Sequence, residues 1–238
     1  MRIALIGYGK MGKAIEEIAL EKGYEIVLKI SSQNTDELTT ENLQRANVAI
    51  EFTNPQNAVE NIKKCLNAGI PTVSGSTGWL KNYNEIENYC KQKNRTFLYA
   101  SNFSIGVNLF FELNKFLSKL MSSHEEYIVT IEEIHHTQKK DAPSGTAISL
   151  AEQILQNIKT KKTWVNCASD NKNELEIISK RMNEIPGIHK INYNSEFDEI
   201  EIIHTAHNRK GFAAGALLAA EFIKNKKGVF TMKDVLQL

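Results

Sequence analysis

The chain has 238 residues, of which 42% are hydrophobic and 24% charged, and its formal net charge is +1. This composition is typical of a globular protein with one large or two modest domains. A net charge so close to zero removes any overall case for nucleic-acid binding, but a local positive site for a small anion stays open.

Cysteine usage and the first residues bear on the compartment. Cys65, Cys90 and Cys167 are scattered and form no CxxC pair, which favours a reducing environment. The first apolar run is short and broken by glycine, unlike a signal peptide or a membrane span. We therefore expect a cytoplasmic protein without a membrane anchor.

A nucleotide-binding pattern opens the chain. An apolar run at 2–6 is followed by a G-x-G-x-x-G motif, an amphipathic helix pattern to residue 23 and a second strand at 24–30. Glycines allow a tight turn, and the helix N-terminus offers free N–H groups to a pyrophosphate. The predicted cofactor-binding residues here are Gly7, Tyr8, Gly9, Lys10, Met11 and Gly12. The alternative is a glycine-rich turn without a ligand.

The end of the second strand bears on the choice of cofactor. An acid there would hold the ribose 2′-OH of NAD, but Glu25 is at the wrong end and Asp36 comes late. Lys29 stands near the hydroxyls of Ser31 and Ser32. We therefore favour NADPH over NADH, with use of both open and with Lys29 among the cofactor-binding residues. Alternatively, Lys29 is an ordinary solvated lysine.

The first half continues to alternate between strands and helices. Strand patterns at 46–52, 71–74 and 96–100 alternate with helix patterns at about 57–68 and 82–92. This alternation predicts a Rossmann-like, doubly wound parallel sheet, whose ligands bind beyond the carboxyl ends of the strands.

Three small polar loops follow these strands and would meet at one sheet edge. They are the loop at 52–55, the loop at 75–78 and the loop at 100–103. Ordinary turn chemistry could explain any one of them, but three at one edge favour a site. The predicted cofactor contacts in the last two loops are Gly75, Ser76, Thr77, Ala100, Ser101, Asn102 and Phe103.

The second half has a different order of elements. A helix pattern at 108–121 and a strand at 127–134 precede a helix at 146–155, and a closing segment covers 228–236. Between the helix at 146–155 and the closing segment, β-like runs occur at 175–179, 189–193 and 199–204 without crossover helices. A helix rich in small residues follows at 212–224. Such runs predict a smaller α+β domain with a mixed or antiparallel sheet.

One stretch of the second half combines proton-transferring groups with an anion cradle. The strand at 127–134 runs into His135 and His136, and Lys139 and Lys140 follow. A Ser-Gly-Thr run then opens a helix, where N–H groups, hydroxyls and the helix dipole favour a carboxylate or phosphate. Its residues are Ser144, Gly145 and Thr146, with Ser144 or Thr146 as the N-cap. The alternative is a capped helix beside a basic loop.

A metal site is not predicted in this stretch. Two adjacent histidines are metal-ligand types, but no third ligand of cysteine, aspartate or glutamate type stands at a recognised spacing.

With these residues in hand, the chain resembles the 4-hydroxy-tetrahydrodipicolinate reductase (dihydrodipicolinate reductase) family over nearly its whole length. The resemblance rests on the glycine motif at 7–12, the segments 51–55, 75–78 and 101–108, and above all His-His-x-x-Lys-x-Asp-Ala-Pro-Ser-Gly-Thr-Ala at 135–147. It implies reduction of a small cyclic dicarboxylate by NADH or NADPH with loss of water, in lysine and diaminopimelate synthesis.

The resemblance also implies roles and an organisation. His135 and Lys139 become the catalytic acid/base pair, and His136, Lys139, Ser144, Gly145 and Thr146 hold the substrate. The dinucleotide domain comprises 1–104 and 209–238, with a hinge from Arg209 to Gly215, and 105–208 forms the substrate-binding and oligomerisation domain. The implied assembly is a homo-oligomer, tetramer or dimer, without nucleic-acid or membrane partners.

Two other functions stay open on the residues alone. Another Rossmann dehydrogenase, acting on an amino-acid semialdehyde, often needs a cysteine nucleophile, and none of the cysteines has such a setting. A non-catalytic NAD(P)-sensing protein would have no use for His135 and Lys139 beside an anion cradle.

Overall fold

The computed structural model describes residues 1–208 and 210–238. The chain divides into two compact units, Met1–Ile105 with Arg209–Leu238, and Gly106–Asn208. Arg209, where the hinge and the second part of the dinucleotide domain are predicted to begin, lies outside the described residues.

The strands and helices have the following bounds. The strands are β1 Arg2–Ile6, β2 Glu25–Ile30, β3 Val48–Glu51, β4 Thr72–Ser74, β5 Thr96–Tyr99, β6 Ile128–His135, β7 Thr163–Val165, β8 Glu174–Arg181, β9 Gly187–Asn194, β10 Glu199–Ala206 and β11 Gly228–Phe230. The α-helices are α1 Lys10–Glu21, α2 Thr40–Leu43, α3 Pro55–Asn67, α4 Tyr83–Gln92, α5 Ile105–Leu120, α6 Gly145–Asn157, α7 Lys210–Ile223 and α8 Met232–Leu236.

The first unit contains a parallel sheet of strand order β11-β5-β4-β3-β1-β2. Its register aligns the strand ends, because Ile6 pairs with Glu51, Glu51 with Ser74, and Ser74 with Tyr99. The loops after four strands therefore begin side by side. The predicted Rossmann-like sheet is confirmed.

One helix boundary differs from its predicted position because of a local cap, and two short elements were missed. Helix α3 begins at Pro55, before the predicted 57, because the Asn54 side chain accepts hydrogen bonds from the N–H groups of Gln56 and Asn57. Helix α2 and strand β7 were not predicted. They span 4 and 3 residues, too few to display a helix or strand period.

The second unit contains a mixed sheet of order β10-β9-β6-β8-β7. Strand β6 is antiparallel to β9 and parallel to β8, so of the two predicted sheet types the mixed one is present. Burial alternates along β6, with Val129, Ile131, Glu133 and His135 on the buried face. That face shares a hydrophobic cluster with apolar residues of α6, which brings the N-terminus of α6 to the end of β6.

Across residues 1–208 and 210–238, no helix is both long enough and apolar enough to cross a bilayer.

Candidate active site

The glycine loop after β1 has the geometry of a dinucleotide-binding turn. Gly7 has φ of +95°, and a Cβ there would lie 2.0 Å from the carbonyl oxygen of Phe52. The N–H groups of Gly7 and Tyr8 donate to the carbonyl of Ile30, which fixes the loop against the end of β2. The N–H groups at the start of α1, from Lys10 onward, have no partner within the helix and can receive a pyrophosphate.

A cavity of about 710 Å³ adjoins this loop. Its lining includes Gly7, Tyr8 and Gly9 of the predicted cofactor residues, and it adds polar side chains from the segments after β2 and β3: Ser31, Ser32, Thr35, Asp36, Thr53, Asn54, Asn57, Glu60, Asn61 and Lys64. A polar cavity beside a helix N-terminus fits the adenosine half of a dinucleotide.

The side chain of Lys29, a predicted cofactor contact, is paired with a carboxylate of the protein. Its ammonium lies 2.9 Å from Glu16 Oε1 and 5.1 Å from the centre of the Tyr8 ring. The hydrogen bond with Glu16 raises the pKa of Lys29. Lys29 is not among the residues that line the cavity. Its charge is therefore compensated by Glu16.

Glu51, at the end of β3, joins two of the predicted cofactor loops. The side chain is fully buried, and its Oε2 accepts from Ser74 Oγ at 2.6 Å while its Oε1 accepts from Ser76 Oγ at 2.7 Å. The N–H of Thr53 lies 3.0 Å from Oε1 and 2.7 Å from Ser76 Oγ. One carboxylate thus holds the loops after β3 and β4 together.

The predicted residues of the β4 and β5 loops differ in exposure. Ser76 and Phe103 are buried, Thr77 and Ser101 are exposed, and the Phe103 ring lies 5.6 Å from the Phe52 ring. Exposed Thr77 and Ser101 can reach a ligand. Ser76 acts through its hydrogen bonds.

In the second unit, strand register explains how four polar residues meet around His135. Glu133 lies two residues before His135 and so faces the same side of the sheet. In the pairing of β6 with its neighbours, Glu133 is opposite His189 and His135 is opposite Arg181. The result is a buried cluster at the end of an otherwise apolar sheet face.

Glu133 is the centre of that cluster. Its Oε1 accepts from Arg181 Nη2 at 3.1 Å, and its Oε2 lies 3.0 Å from His135 Nδ1. Burial alone would raise the pKa of Glu133, but its close contacts with His135 and Ser144 outweigh burial and hold the pKa well below the ordinary value. Glu133 is therefore a charged group inside the protein, compensated by Arg181.

His189 completes the cluster on the side of α6. Burial, with repulsion from His135, lowers the pKa of His189 to about 3, so the ring is neutral at physiological pH. Its Nε2 lies 3.1 Å from Ser144 Oγ, and Ser144 Oγ also accepts from the N–H of Ala147. Ser144 is thus the N-cap of α6, and Thr146 is not.

The cap leaves the first turn of α6 available to an anion. The hydroxyl of Ser144 is engaged by Ala147 and His189. The N–H groups of Gly145 and Thr146, by contrast, have no partner within the helix. A substrate carboxylate would therefore meet main-chain donors rather than the serine hydroxyl.

Lys139 and His136 lie in the segment that joins β6 to α6. Lys139 Nζ is 2.8 Å from both carboxylate oxygens of Asp141. Burial would raise the pKa of Asp141, but Lys139 outweighs it and lowers that pKa. His136 is half-buried, and Lys140 is exposed. The two lysines are therefore not equivalent.

Comparison with known proteins decides the family. The family model for the dihydrodipicolinate reductase N-terminus matches residues 1–103, and the one for its C-terminus matches residues 106–236. The chain belongs to the dihydrodipicolinate reductase family.

Individual relatives agree with this membership. A 4-hydroxy-tetrahydrodipicolinate reductase of Christiangramia forsetii is 49% identical over 238 residues, covering 99% of this chain and 98% of the relative. One from Thermosipho africanus is 35% identical over 240 residues, covering 100% and 98%. A dipicolinate-bound dihydrodipicolinate reductase of Paenisporosarcina sp. TG-14 has the same fold, with a TM-score of 0.77, 22% identity and 97% coverage of both chains.

The chain is accordingly an NAD(P)H-dependent oxidoreductase of this family. Sequence reasoning did not assign roles to four of the polar residues in this reductase, Glu51, Glu133, Arg181 and His189. The signals were present: Glu51 ends a buried strand, and Glu133 lies two residues before His135 on a strand. Arg181 and His189 could not be found, because strand register was needed to bring them to β6.

One group in this reductase has the composition of a metal site. Ligand atoms of Glu133, His135 and His189 lie within 4.8 Å of one another. The carboxylate comes from β6 itself, two residues before His135, and strand pairing adds His189. Arg181, 3.1 Å from Glu133 Oε1, already provides a positive charge there and would repel a cation. The expectation of no metal stays a prediction.

Proposed function

We propose that this chain reduces 4-hydroxy-tetrahydrodipicolinate to tetrahydrodipicolinate in lysine and diaminopimelate synthesis, with hydride from NADH or NADPH. The observation that carries the proposal is the grouping of His135, Lys139 and the free N-terminus of α6 in one unit. A cyclic dicarboxylate needs fixed cations and main-chain donors for its carboxylates, and its reduction needs a proton donor.

The two units divide these tasks. The unit that holds the glycine loop binds the dinucleotide, corresponding to the predicted domain of residues 1–104 and 209–238. The unit at 105–208 binds the substrate, with His136, Lys139, Ser144, Gly145 and Thr146 at its carboxylates. His135 and Lys139 supply the proton. Gly75, Ser76, Thr77 and residues 100–103 serve the nicotinamide half.

The environment of the cysteines argues against a semialdehyde dehydrogenase. Burial raises the pKa of Cys65 strongly and that of Cys90 to about 11, so neither is a thiolate at neutral pH. Cys167 is exposed and lies in the loop between β7 and β8, separated in sequence from His135 and Lys139 by helix α6.

A turnover assay tests the proposal. The protein is mixed with NADH or NADPH and enzymatically generated 4-hydroxy-tetrahydrodipicolinate, and loss of the nicotinamide absorbance is followed. We expect substrate-dependent loss with at least one cofactor. Absence of turnover with both cofactors would leave the NAD(P)-sensing alternative.

Cofactor preference depends on the charges around the cavity. The sequence favours NADPH through Lys29, but Lys29 is paired with Glu16. The charged residues that line the cavity are Asp36, Glu60 and Lys64. Lys64 lies 2.9 Å from Glu60, so no cation in the lining is left to compensate the charge of Asp36. A carboxylate accepts from a ribose 2′-OH and repels a 2′-phosphate. We therefore revise the preference toward NADH and retain use of both cofactors.

The Asp36→Ser variant tests this assignment. We expect the ratio of kcat/KM for NADPH to that for NADH to rise by about 10-fold, equivalent to about 1.4 kcal/mol. The Lys29→Ala variant is the comparison, and its ratio should stay near that of the native protein. A large loss of NADPH use in Lys29→Ala alone would restore the sequence-based assignment.

The second unit supports the proposed homo-oligomer, tetramer or dimer. One face of α5 exposes Leu109, Leu113, Phe116 and Leu120, which are 48%, 48%, 61% and 54% accessible. Their spacing is that of a single helix face, and contiguous apolar surface of this kind is typical of interfaces. The mass of the native protein in solution, measured by light scattering, checks the proposal, and a monomer at micromolar concentration would contradict it.

A further inference from the structure

Glu133 occupies an unusual place for a carboxylate. It is fully buried on a sheet face that is otherwise apolar up to His135. Burying a charge carries a large desolvation penalty unless partners compensate it. Arg181 provides the compensation at Oε1. The other oxygen, Oε2, faces the Nδ1 atom of His135 at 3.0 Å.

Of the two ring nitrogens near Glu133 Oε2, His135 Nδ1 is the closer, at 3.0 Å against 3.9 Å for His189 Nε2. Within the described residues, neither Oε2 nor Nδ1 makes a hydrogen bond of ordinary geometry, so the two atoms meet as a close ion-pair contact. A carboxylate beside one ring nitrogen favours the proton on that nitrogen. The neutral ring of His135 then carries its proton on Nδ1, and Nε2 is the nitrogen left to exchange a proton.

Gly187, the first residue of β9, leaves space in front of that nitrogen. A Cβ at this position would lie 3.1 Å from His135 Nε2 and 3.3 Å from its Cδ2. The φ of Gly187 is not in the left-handed region, so backbone conformation does not require glycine here. The absent side chain instead leaves room beside Nε2 of the buried His135 ring.

We propose that Glu133 is the positioning residue for His135: anchored by Arg181, it holds Nδ1, and Gly187 leaves Nε2 open to transfer the proton. The inference rests on the proposed function. The 4-hydroxyl group and a ring proton first leave the substrate as water, which gives a conjugated cyclic imine. As the hydride then adds to a carbon of that imine, the Nε2–H bond of the imidazolium breaks and its electron pair stays on the ring. The proton goes to the substrate nitrogen, and the neutral ring keeps the proton on Nδ1.

The charged and titratable groups around His135 come from several elements. They are Glu133 on β6, Arg181 on β8, His189 on β9, and Lys139 and Asp141 in the segment before α6. His189 stays neutral because burial lowers its pKa to about 3. Glu133 is therefore the group whose charge acts on His135 most directly.

The Glu133→Gln variant removes this charge and preserves the side-chain size. We expect kcat to fall by roughly 10- to 100-fold, as for other groups that orient a reacting side chain, with both KM values within about 2-fold of native. A fall in kcat without a matching rise in KM separates the loss of a positioning contact from a loss of substrate binding. A native kcat would overturn the proposal.

The control is Glu132→Gln, the same change one residue earlier. Glu132 lies on the opposite face of β6 and pairs with Lys180, so its variant should keep the native kcat and KM values. Loss of activity in both variants to the same extent would indicate a general effect of charge and would overturn the specific role of Glu133.

Two measurements keep the test decisive if Glu133→Gln fails to fold. Gly187→Ala places a methyl group over Nε2 and should lower kcat by about 10-fold or more, whereas Gly211→Ala, with no atom within 4 Å of its Cβ, should not.

Nitrogen-15 NMR of the native protein should show the neutral His135 ring protonated on Nδ1, assigned by comparison with His135→Gln. Protonation on Nε2 would overturn the proposal, even in a protein without reductase activity. Lack of turnover together with protonation on Nδ1 would instead count against the proposed function alone.

Discussion

Replacement of Lys139 by alanine is expected to lower kcat by about 10²-fold or more, the range typical of the loss of a general acid. Lys139 is held by both oxygens of Asp141 at 2.8 Å, close in sequence to the free N-terminus of α6. In that position its ammonium can contact a substrate carboxylate and supply a proton. Steady-state kinetics with enzymatically generated substrate measure the effect.

Lys140→Ala is the matched control for this prediction. Lys140 adjoins Lys139 but is exposed, so its variant should keep native kinetics. Asp141 is 59% accessible, and water can solvate its charge once Lys139 is removed, so the Lys139→Ala protein should fold normally. An increase in KM with an unchanged kcat would assign Lys139 to binding alone.

Gly7→Ala is expected to affect folding and cofactor binding together. An alanine would adopt a φ near +95° with its Cβ 2.0 Å from the Phe52 carbonyl oxygen. Strained backbone and overpacking each carry a penalty of about 1–3 kcal/mol, so we expect the free energy of unfolding to fall by roughly 2–6 kcal/mol. Chemical denaturation and titration with NADH measure the two effects.

Gly9→Ala separates the cofactor effect from the folding effect. Its Cβ would meet no atom within 4 Å, so stability should change by less than about 0.5 kcal/mol. The added methyl group would still stand where a pyrophosphate approaches the loop, and cofactor affinity should fall. Equal stability of Gly7→Ala and the native protein would contradict the structural account of this turn.

The fold was predictable because its signals are local. Apolar runs alternate with amphipathic helix patterns in the first half, and the 135–147 string is specific enough to identify the family. The helix cap was resolved only by the structure, since Ser144 and Thr146 are both good N-cap residues. The contact between Ser144 and His189, 45 positions apart in sequence, selects Ser144 in the folded protein.

The electrostatic partners of the site were less predictable. Lys29 stands near the expected 2′-phosphate position in sequence, yet its side chain reaches Glu16 on α1. The partners of Glu133 were not visible in the sequence, because the positions of Arg181 and His189 depend on the pairing of β6 with β8 and β9. Sequence patterns indicate which face a residue takes, whereas cross-strand neighbours follow from register.

The central claim is that this chain transfers hydride from a nicotinamide to a cyclic dicarboxylate. The most direct test supplies the native protein with NADH or NADPH deuterated at the transferring position of the nicotinamide, together with enzymatically generated 4-hydroxy-tetrahydrodipicolinate. We predict a tetrahydrodipicolinate product that carries the deuterium, detected by mass spectrometry. Cofactor oxidation with an unlabelled product, or no product with either cofactor, would contradict the claim.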